Sequence, residues 1–210
     1  MDKKEIQERR MKGYFIDATK ELLKGEGLSA VSVRSVADKA GYSYATLYNY
    51  FKDLNDLIFE CARDFQTECE TSVKSKIKKS EQGKDKIKAT VLAYVEYFTE
   101  YSGVFELFFL ERMGNIGNKQ SISELIYTFL DRLCDPHWEY CIAQNSCDRI
   151  SAEKKKRQLR FCIMGMLLFY QNRRQPENYN DFLQLLNNQV EEIIDINWSN
   201  EKLDAVCCQY

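Results

Sequence analysis

The sequence is poor in several residue types that particular folds and chemistries require. Its 210 residues include one histidine, two prolines and nine glycines. The lone His137 leaves no material for a multi-histidine metal centre and argues against a histidine-based catalytic triad. So few turn formers disfavour a chain of many short strands and favour helices. There is no excess of either charge: Lys and Arg total 30, Asp and Glu 32, for a net of -2. By that total alone the chain is a poor candidate for a nucleic-acid binder, whose domain is often strongly basic. The longest uninterrupted apolar stretch, residues 161–170, is too short for a membrane span of about 20 residues. The start, MDKKEIQERRMKG, is too charged for a signal peptide. A cytoplasmic protein without membrane contact is the expectation. The eight cysteines contain no zinc-type CxxC pair, so they read as apolar thiols in a reducing compartment, with Cys207 and Cys208 the most open to oxidation. Neither metal nor cofactor is expected.

What is present is helical periodicity. Met11, Phe15, Ala18 and Leu22 are spaced by four, three and four, which predicts a helix over 4–25. Ser32 can cap a short helix with Val33, Val36, Ala37 and Ala40 inward, and Gly41 can end it. Ser43 can cap a third helix running through Phe51, and Asp53 opens a long fourth with Ile58, Ala62, Phe65, Cys69, Val73 and Ile77 on one face. Further helices are expected near 86–102, 104–113, 119–134, 137–144, 152–173 and 178–197, with breaks at 80–85, 114–118, 135–136, 145–151 and 175–178. The fold class is all-α, with about nine helices. The expected organisation is a three-helix unit over 1–52, a connecting helix over 53–79 and a larger helical domain over 80–210.

Two short helices joined by a glycine turn, as in SVRSVADKAGYSYATLYNYF over residues 32–51, form a helix-turn-helix. Leu47 and Phe51 point inward, so the remaining side chains of the second helix are offered to a major groove. A dense set of residues carries a resemblance: Ala18, Leu22, Gly27, Ser32-Val33-Arg34, Val36-Ala37, Ala40-Gly41-Tyr42-Ser43, Ala45-Thr46-Leu47-Tyr48, Tyr50-Phe51-Lys52 and Leu57. Over about residues 10–58 the chain resembles the TetR-family DNA-binding domain. The resemblance implies that Ser32 and Arg34 touch phosphates at the start of the second helix. It implies that Ser43, Tyr44, Ala45 and Thr46 approach base edges, and that the Tyr48 hydroxyl reaches a phosphate. Asn49 and Tyr50 fall at base and backbone contacts, and Lys52 lies near the strand backbone. Asn can pair bidentately with adenine. Three residues depart from the family pattern: Tyr42 replaces a small aliphatic residue, Tyr44 a common Lys, Arg or Pro, and Leu54 a basic phosphate contact.

Charge read by position changes the first impression. Residues 1–56 hold ten Lys or Arg against nine Asp or Glu, and Lys3, Lys4, Arg9, Arg10 and Lys12 cluster at one end of the first helix. A local basic stripe suffices for phosphate contact. Farther along, Tyr94, Tyr97, Phe98, Tyr101, Phe105 and Phe109 follow helical spacing, with His137 and Trp138 after Pro136. Such aromatics are core residues, cavity lining, or both. The resemblance implies a pocket among them for an effector, and their hydroxyls suit an aromatic or amphipathic molecule. The last two long helices are apolar on more faces than one small bundle can cover. In the family such helices pair as a four-helix bundle, which implies a twofold homodimer on a near-palindromic double-stranded operator. The expected function is a ligand-responsive transcriptional repressor. The alternatives are a helical adaptor that keeps the fold without DNA binding and, less favoured for want of catalytic motifs, a small-molecule-modifying enzyme.

Overall fold

A computed structural model describes residues 2–79, 82–110 and 126–195. Its described residues form nine α-helices and no strand: α1 Lys3–Glu26, α2 Val33–Ala40, α3 Tyr44–Tyr48, α4 Leu54–Lys76, α5 Gly83–Glu100, α6 Ser102–Phe105, α7 Phe129–Ala143, α8 Arg149–Arg173 and α9 Tyr179–Asp195. A single 3-10 turn, Leu28–Ala30, follows α1, and a π-helical turn, Glu106–Leu110, follows α6. The expected break at 114–118, the first part of the helix expected from 119, and Cys207 and Cys208 lie outside the described residues.

The head of the chain is assembled by local chemistry. Ser32 caps α2 by accepting from the Ser35 amide, at 3.0 Å, while Ser35 Oγ accepts from the Ser32 amide, at 2.9 Å. Gly41 then sits in the left-handed region (φ 75°, ψ 27°). Its amide reaches Asp38 O and the Tyr42 amide reaches Ala37 O, the paired bonds of a Schellman ending. Ser43 caps α3 from the other side of the turn, and Asp53 caps α4 through the Asp56 amide, at 2.9 Å. The third helix is shorter than the spacing suggests. After Tyr48 the chain tightens, with the Asn49 amide on Thr46 O and the Tyr50 amide on Leu47 O. This carries Phe51 edge-on against Phe15 in the core, at 6.3 Å between ring centroids.

The C-terminal layers form around α5, whose Ile87, Val91, Tyr94 and Phe98 are buried against α4, α7, α8 and α9. Here one expectation is corrected: residues 135–136 do not break the chain. Pro136 lies inside α7, one continuous helix. Proline removes one helical hydrogen bond. The helix persists because Phe129, Leu130, Cys134, Trp138 and Cys141, on either side of Pro136, are all buried in the shared core. Burial of large side chains, at about 1.5–3 kcal/mol each, outweighs that local cost. At the far end, buried Lys155 donates to Ile194 O at 2.6 Å, satisfying a carbonyl in the last turn of α9.

The two halves meet where α1 ends. Gly103 on α6 packs against Leu23 so closely that a Cβ would stand 1.9 Å from the Leu23 carbonyl oxygen. Gly103→Ala should therefore lower stability by about 1–3 kcal/mol or more in urea unfolding, because backbone must move. Gly13→Ala is the internal control, since a Cβ there meets nothing within 4 Å. It should gain about 0.5–1 kcal/mol from helix propensity.

Candidate nucleic-acid interface and cavity

The side chains assigned to a DNA surface fall on one edge of the head. Ser32, Arg34, Ser43, Tyr44, Ala45, Tyr48, Asn49 and Lys52 are exposed, and Thr46 and Tyr50 are half-buried. Tyr44 and Tyr48 are 66% and 52% exposed, high for aromatic side chains, while Leu47 between them is fully buried. The polar edge thus sits on a fixed apolar base of Phe15, Val36, Leu47 and Phe51. Ser43 Oγ also meets Thr46 Oγ1 at 2.9 Å, which holds the first turn of α3. Two of the departures from the family pattern have packing explanations. Tyr42 stacks on Tyr14, at 6.0 Å between ring centroids, and lies 5.6 Å from Phe15. Leu54 is half-buried and packs against the core. Tyr44 at the start of α3 has no such partner.

Behind the head, α1 and α4 are bound by charge. Lys20 Nζ lies 2.5 Å from both Asp64 and Glu68, and Lys24 Nζ lies 2.6 Å from Glu68. Burial by itself pushes the Lys20 amine down and the Glu68 carboxyl up. The mutual hydrogen bonds and charges outweigh it, so Lys20 ends above and Glu68 below its ordinary value. The Tyr97 hydroxyl donates to Glu68 Oε2 at 3.4 Å, and Lys24 stands 4.6 Å from the centre of the Tyr101 ring. Tyr97 and Tyr101 therefore belong to this joint between α1, α4 and α5.

A largely apolar cavity lies elsewhere, between α5, the π turn, α7 and α8. It measures about 350 Å³ and is lined by Tyr94, Phe108, Phe109, Ile126, Tyr127, Leu130, Arg160, Phe161, Ile163 and Met164. Of the eight residues expected at a pocket, Tyr94 and Phe109 line it. Phe98 and Phe105 are buried beside it in the aromatic core, where Phe98 meets Phe108 and Phe109 at 5.4 and 5.1 Å. Trp138 is fully buried on the inner face of α7. His137 is half-buried and away from the lining, with burial and then the Lys86 charge holding its imidazole below the ordinary value. Sequence reasoning missed Arg160, Phe161, Ile163 and Met164. The signal was available in the abrupt passage of α8 from basic to apolar after Arg160.

The π turn touches both regions. Its Phe108 and Phe109 line the cavity, and its Glu106 carboxylate accepts from the Leu28 amide, at 3.4 Å, just past the end of α1. A Cβ at Gly27 would stand in contact with that carboxylate, at 3.4 Å, and the φ of 82° there is one that favours glycine.

The family model for bacterial regulatory proteins of the tetR family matches residues 15–61, which hold the helix-turn-helix. Residues 15–61 carry the N-terminal domain of that family. No curated protein sequence matches it. The chain shares its fold with solved regulators over most of its length. The structure of FadR from Bacillus subtilis in complex with stearoyl-CoA aligns with a TM-score of 0.69 at 19% identity, covering 87% of this chain and 97% of that one. A tetR-family regulator from Streptomyces coelicolor aligns at 0.67 and 13% identity, over 88% of this chain and 79% of its own. A putative transcriptional regulator from Pseudomonas aeruginosa aligns at 0.64 and 16% identity, over 87% and 89%. The family comprises DNA-binding regulators rather than enzymes. No helix among the described residues is long and apolar enough to cross a membrane.

The charged joint behind the head carries a pH signature. Because Glu68 is held below its ordinary value, its contribution to stability is present above the unfolded carboxyl value, near 4.3, and is lost as pH falls through the depressed folded value. Lys20, held above its ordinary value by Asp64 and Glu68, stays charged throughout that acid window, so the loss follows the carboxylate. In urea unfolding, the stability gap between wild type and Glu68→Gln should be open at neutral pH and close on acidification.

Proposed function

We propose that the protein is a ligand-responsive repressor that binds a near-palindromic operator as a homodimer in the cytoplasm. Residues 1–52 read DNA, 53–79 connect, and 80–210 bind the effector and the second protomer. Ser32 and Arg34 hold phosphates, and the Tyr48 hydroxyl holds another. Ser43, Tyr44, Ala45 and Thr46 approach base edges, Asn49 and Tyr50 contact bases and backbone, and Lys52 lies along the strand. The family match and the outward display of these side chains on a buried apolar base support this surface.

The observation that carries ligand response is the double contact of the π turn. A molecule that displaces Phe108 or Phe109 acts on the same short segment whose Glu106 and neighbouring Gly103 abut the end of α1. The effector must bind the DNA-incompetent state better, and its differential affinity limits how far the operator is released. The largely apolar lining supports an aromatic or amphipathic effector, as does the likeness to FadR, which was solved with stearoyl-CoA.

The dimer reading rests on the outer faces of α8 and α9. Phe161 and Phe169 are 58% and 59% exposed, and with Cys162, Gly165, Met166 and Leu185 they form an apolar groove. Exposed apolar surface of this extent marks a partner site.

Two measurements check the reading. In fluorescence anisotropy at fixed salt, Tyr48→Phe should weaken binding to every duplex by a similar factor, about tenfold, through loss of a bond to a charged group. Asn49→Ala should instead reduce preference at particular base pairs. Unchanged affinity in both variants refutes the assigned surface. In sedimentation, the wild type should be a dimer at micromolar concentration and Phe169→Glu a monomer. A monomeric wild type refutes the interface.

A further inference from the structure

Among the described residues the cavity lining is aromatic and aliphatic apart from one cation. Arg160 is the only charged side chain lining it among the described residues. Its guanidinium is held from two sides. One terminal nitrogen donates to the Asp131 carboxylate on α7. The flat face lies 4.0 Å from the centre of the Tyr127 ring. The Nε is buried and has no hydrogen-bond partner among the described residues. Asp131 itself is not part of the lining.

This arrangement is specific about what it lacks. An arginine offers five donors in a rigid fork, so a single carboxylate leaves some of them unused. A buried N–H without an acceptor is costly, and in an apolar surrounding that cost is high. The Asp131 carboxylate is not a comfortable counter-ion either. Burial raises it above its ordinary value despite the attraction of Arg160. The fork is therefore fixed in place by Tyr127 and Asp131, with donor capacity left over beside an apolar space.

Resting on the reading of this cavity as the effector site, we infer that its ligand is a small amphipathic monoanion, a carboxylic acid whose head takes the free donors of Arg160 and whose apolar body lies against Tyr94, Phe108 and Phe109. The size agrees. About 350 Å³ is near the lower end of the range for small-molecule sites, roughly 300–1,000 Å³. One lining cation suits one carboxylate. A head bearing several phosphates would call for more cations than the described lining provides. Arginine matches a carboxylate bidentately, so an acid is favoured over an alcohol, which offers a single weaker acceptor, and over an amine, which Arg160 repels.

The test uses the full chain and two matched series: decanoate, decanol and decylamine, and phenylpropionate with phenylpropanol. Binding is read by calorimetry and thermal shift. At neutral pH at least one acid should bind about tenfold or more tightly than its alcohol, and decylamine should bind weakest. Arg160→Gln should bring the acid down to the level of the alcohol and leave the alcohol unchanged. Arg160→Lys, which retains the cation if the glutamine variant fails to fold, should keep a reduced preference for the acid. Asp131→Asn should bind the acid at least as well as wild type. Met164→Trp, which fills the cavity, should weaken acid and alcohol alike. If acid and alcohol bind equally to wild type but Met164→Trp weakens both, the anion assignment falls while the effector cavity stands. The anion assignment also falls if the acid keeps its full preference in Arg160→Gln. If nothing binds, or Met164→Trp changes nothing, the cavity is not the effector site and both readings fall.

Discussion

At position 103 there is no room for a side chain. The start of α6 and the end of α1 meet backbone to backbone, with the Leu23 carbonyl where a Cβ would project. Close-packed interiors transmit displacement because they cannot absorb it. The Gly103 contact fixes the π turn against the head, and Glu106 adds a hydrogen bond at Leu28 a few residues on. The cavity wall made by Phe108 and Phe109 is then continuous with the support of the DNA-reading unit. A looser joint, with side chains between the two backbones, would let the C-terminal layers rearrange without moving α1.

Charge strengthens the same joint from the other side. Lys20 and Lys24 reach across from α1 to Asp64 and Glu68 on α4, where Tyr97 and Tyr101 close over them. These groups are only partly shielded from water, so the network is worth less than its short distances suggest. Its value lies in direction. It sets the register of α4 against α1, and α4 is the helix that leaves the head for the larger domain. Apolar packing along Ile58, Ala62, Phe65 and Cys69 holds the same two helices together but leaves more freedom to slide.

The parts legible in the sequence are those decided within a few residues. The caps at Ser32, Ser43 and Asp53, the glycine ending at Gly41 and the inward face of α4 follow from local hydrogen bonding and helical spacing. Pro136 shows the limit of that logic, because its fate depended on the burial of Trp138 and Cys134 against a helix some 40 residues earlier in the chain. The cavity shows it again. Helical spacing groups Tyr94, Tyr97, Phe98 and Tyr101 as one aromatic set, but the structure divides them between the charged joint, the core and the cavity. Periodicity says which residues share a face, not what that face meets. Arg160 was passed over for a related reason: in sequence it is the last of several basic residues in the first half of α8, marked only by the apolar run that follows it, and the fold is what turns it toward the cavity.

The ion pairs in the head also bear on its dependence on ionic strength. Of its ten lysines and arginines, Lys12, Lys20, Lys24 and Lys39 are paired with carboxylates of the chain. Six remain: Lys3, Lys4, Arg9, Arg10, Arg34 and Lys52. Each phosphate neutralised on a duplex releases about 0.9 counterions, so these six side chains account for about five. Lys20 and Lys24, tied to Asp64 and Glu68 behind the head, add less to non-specific electrostatic attraction than the count of basic residues would give.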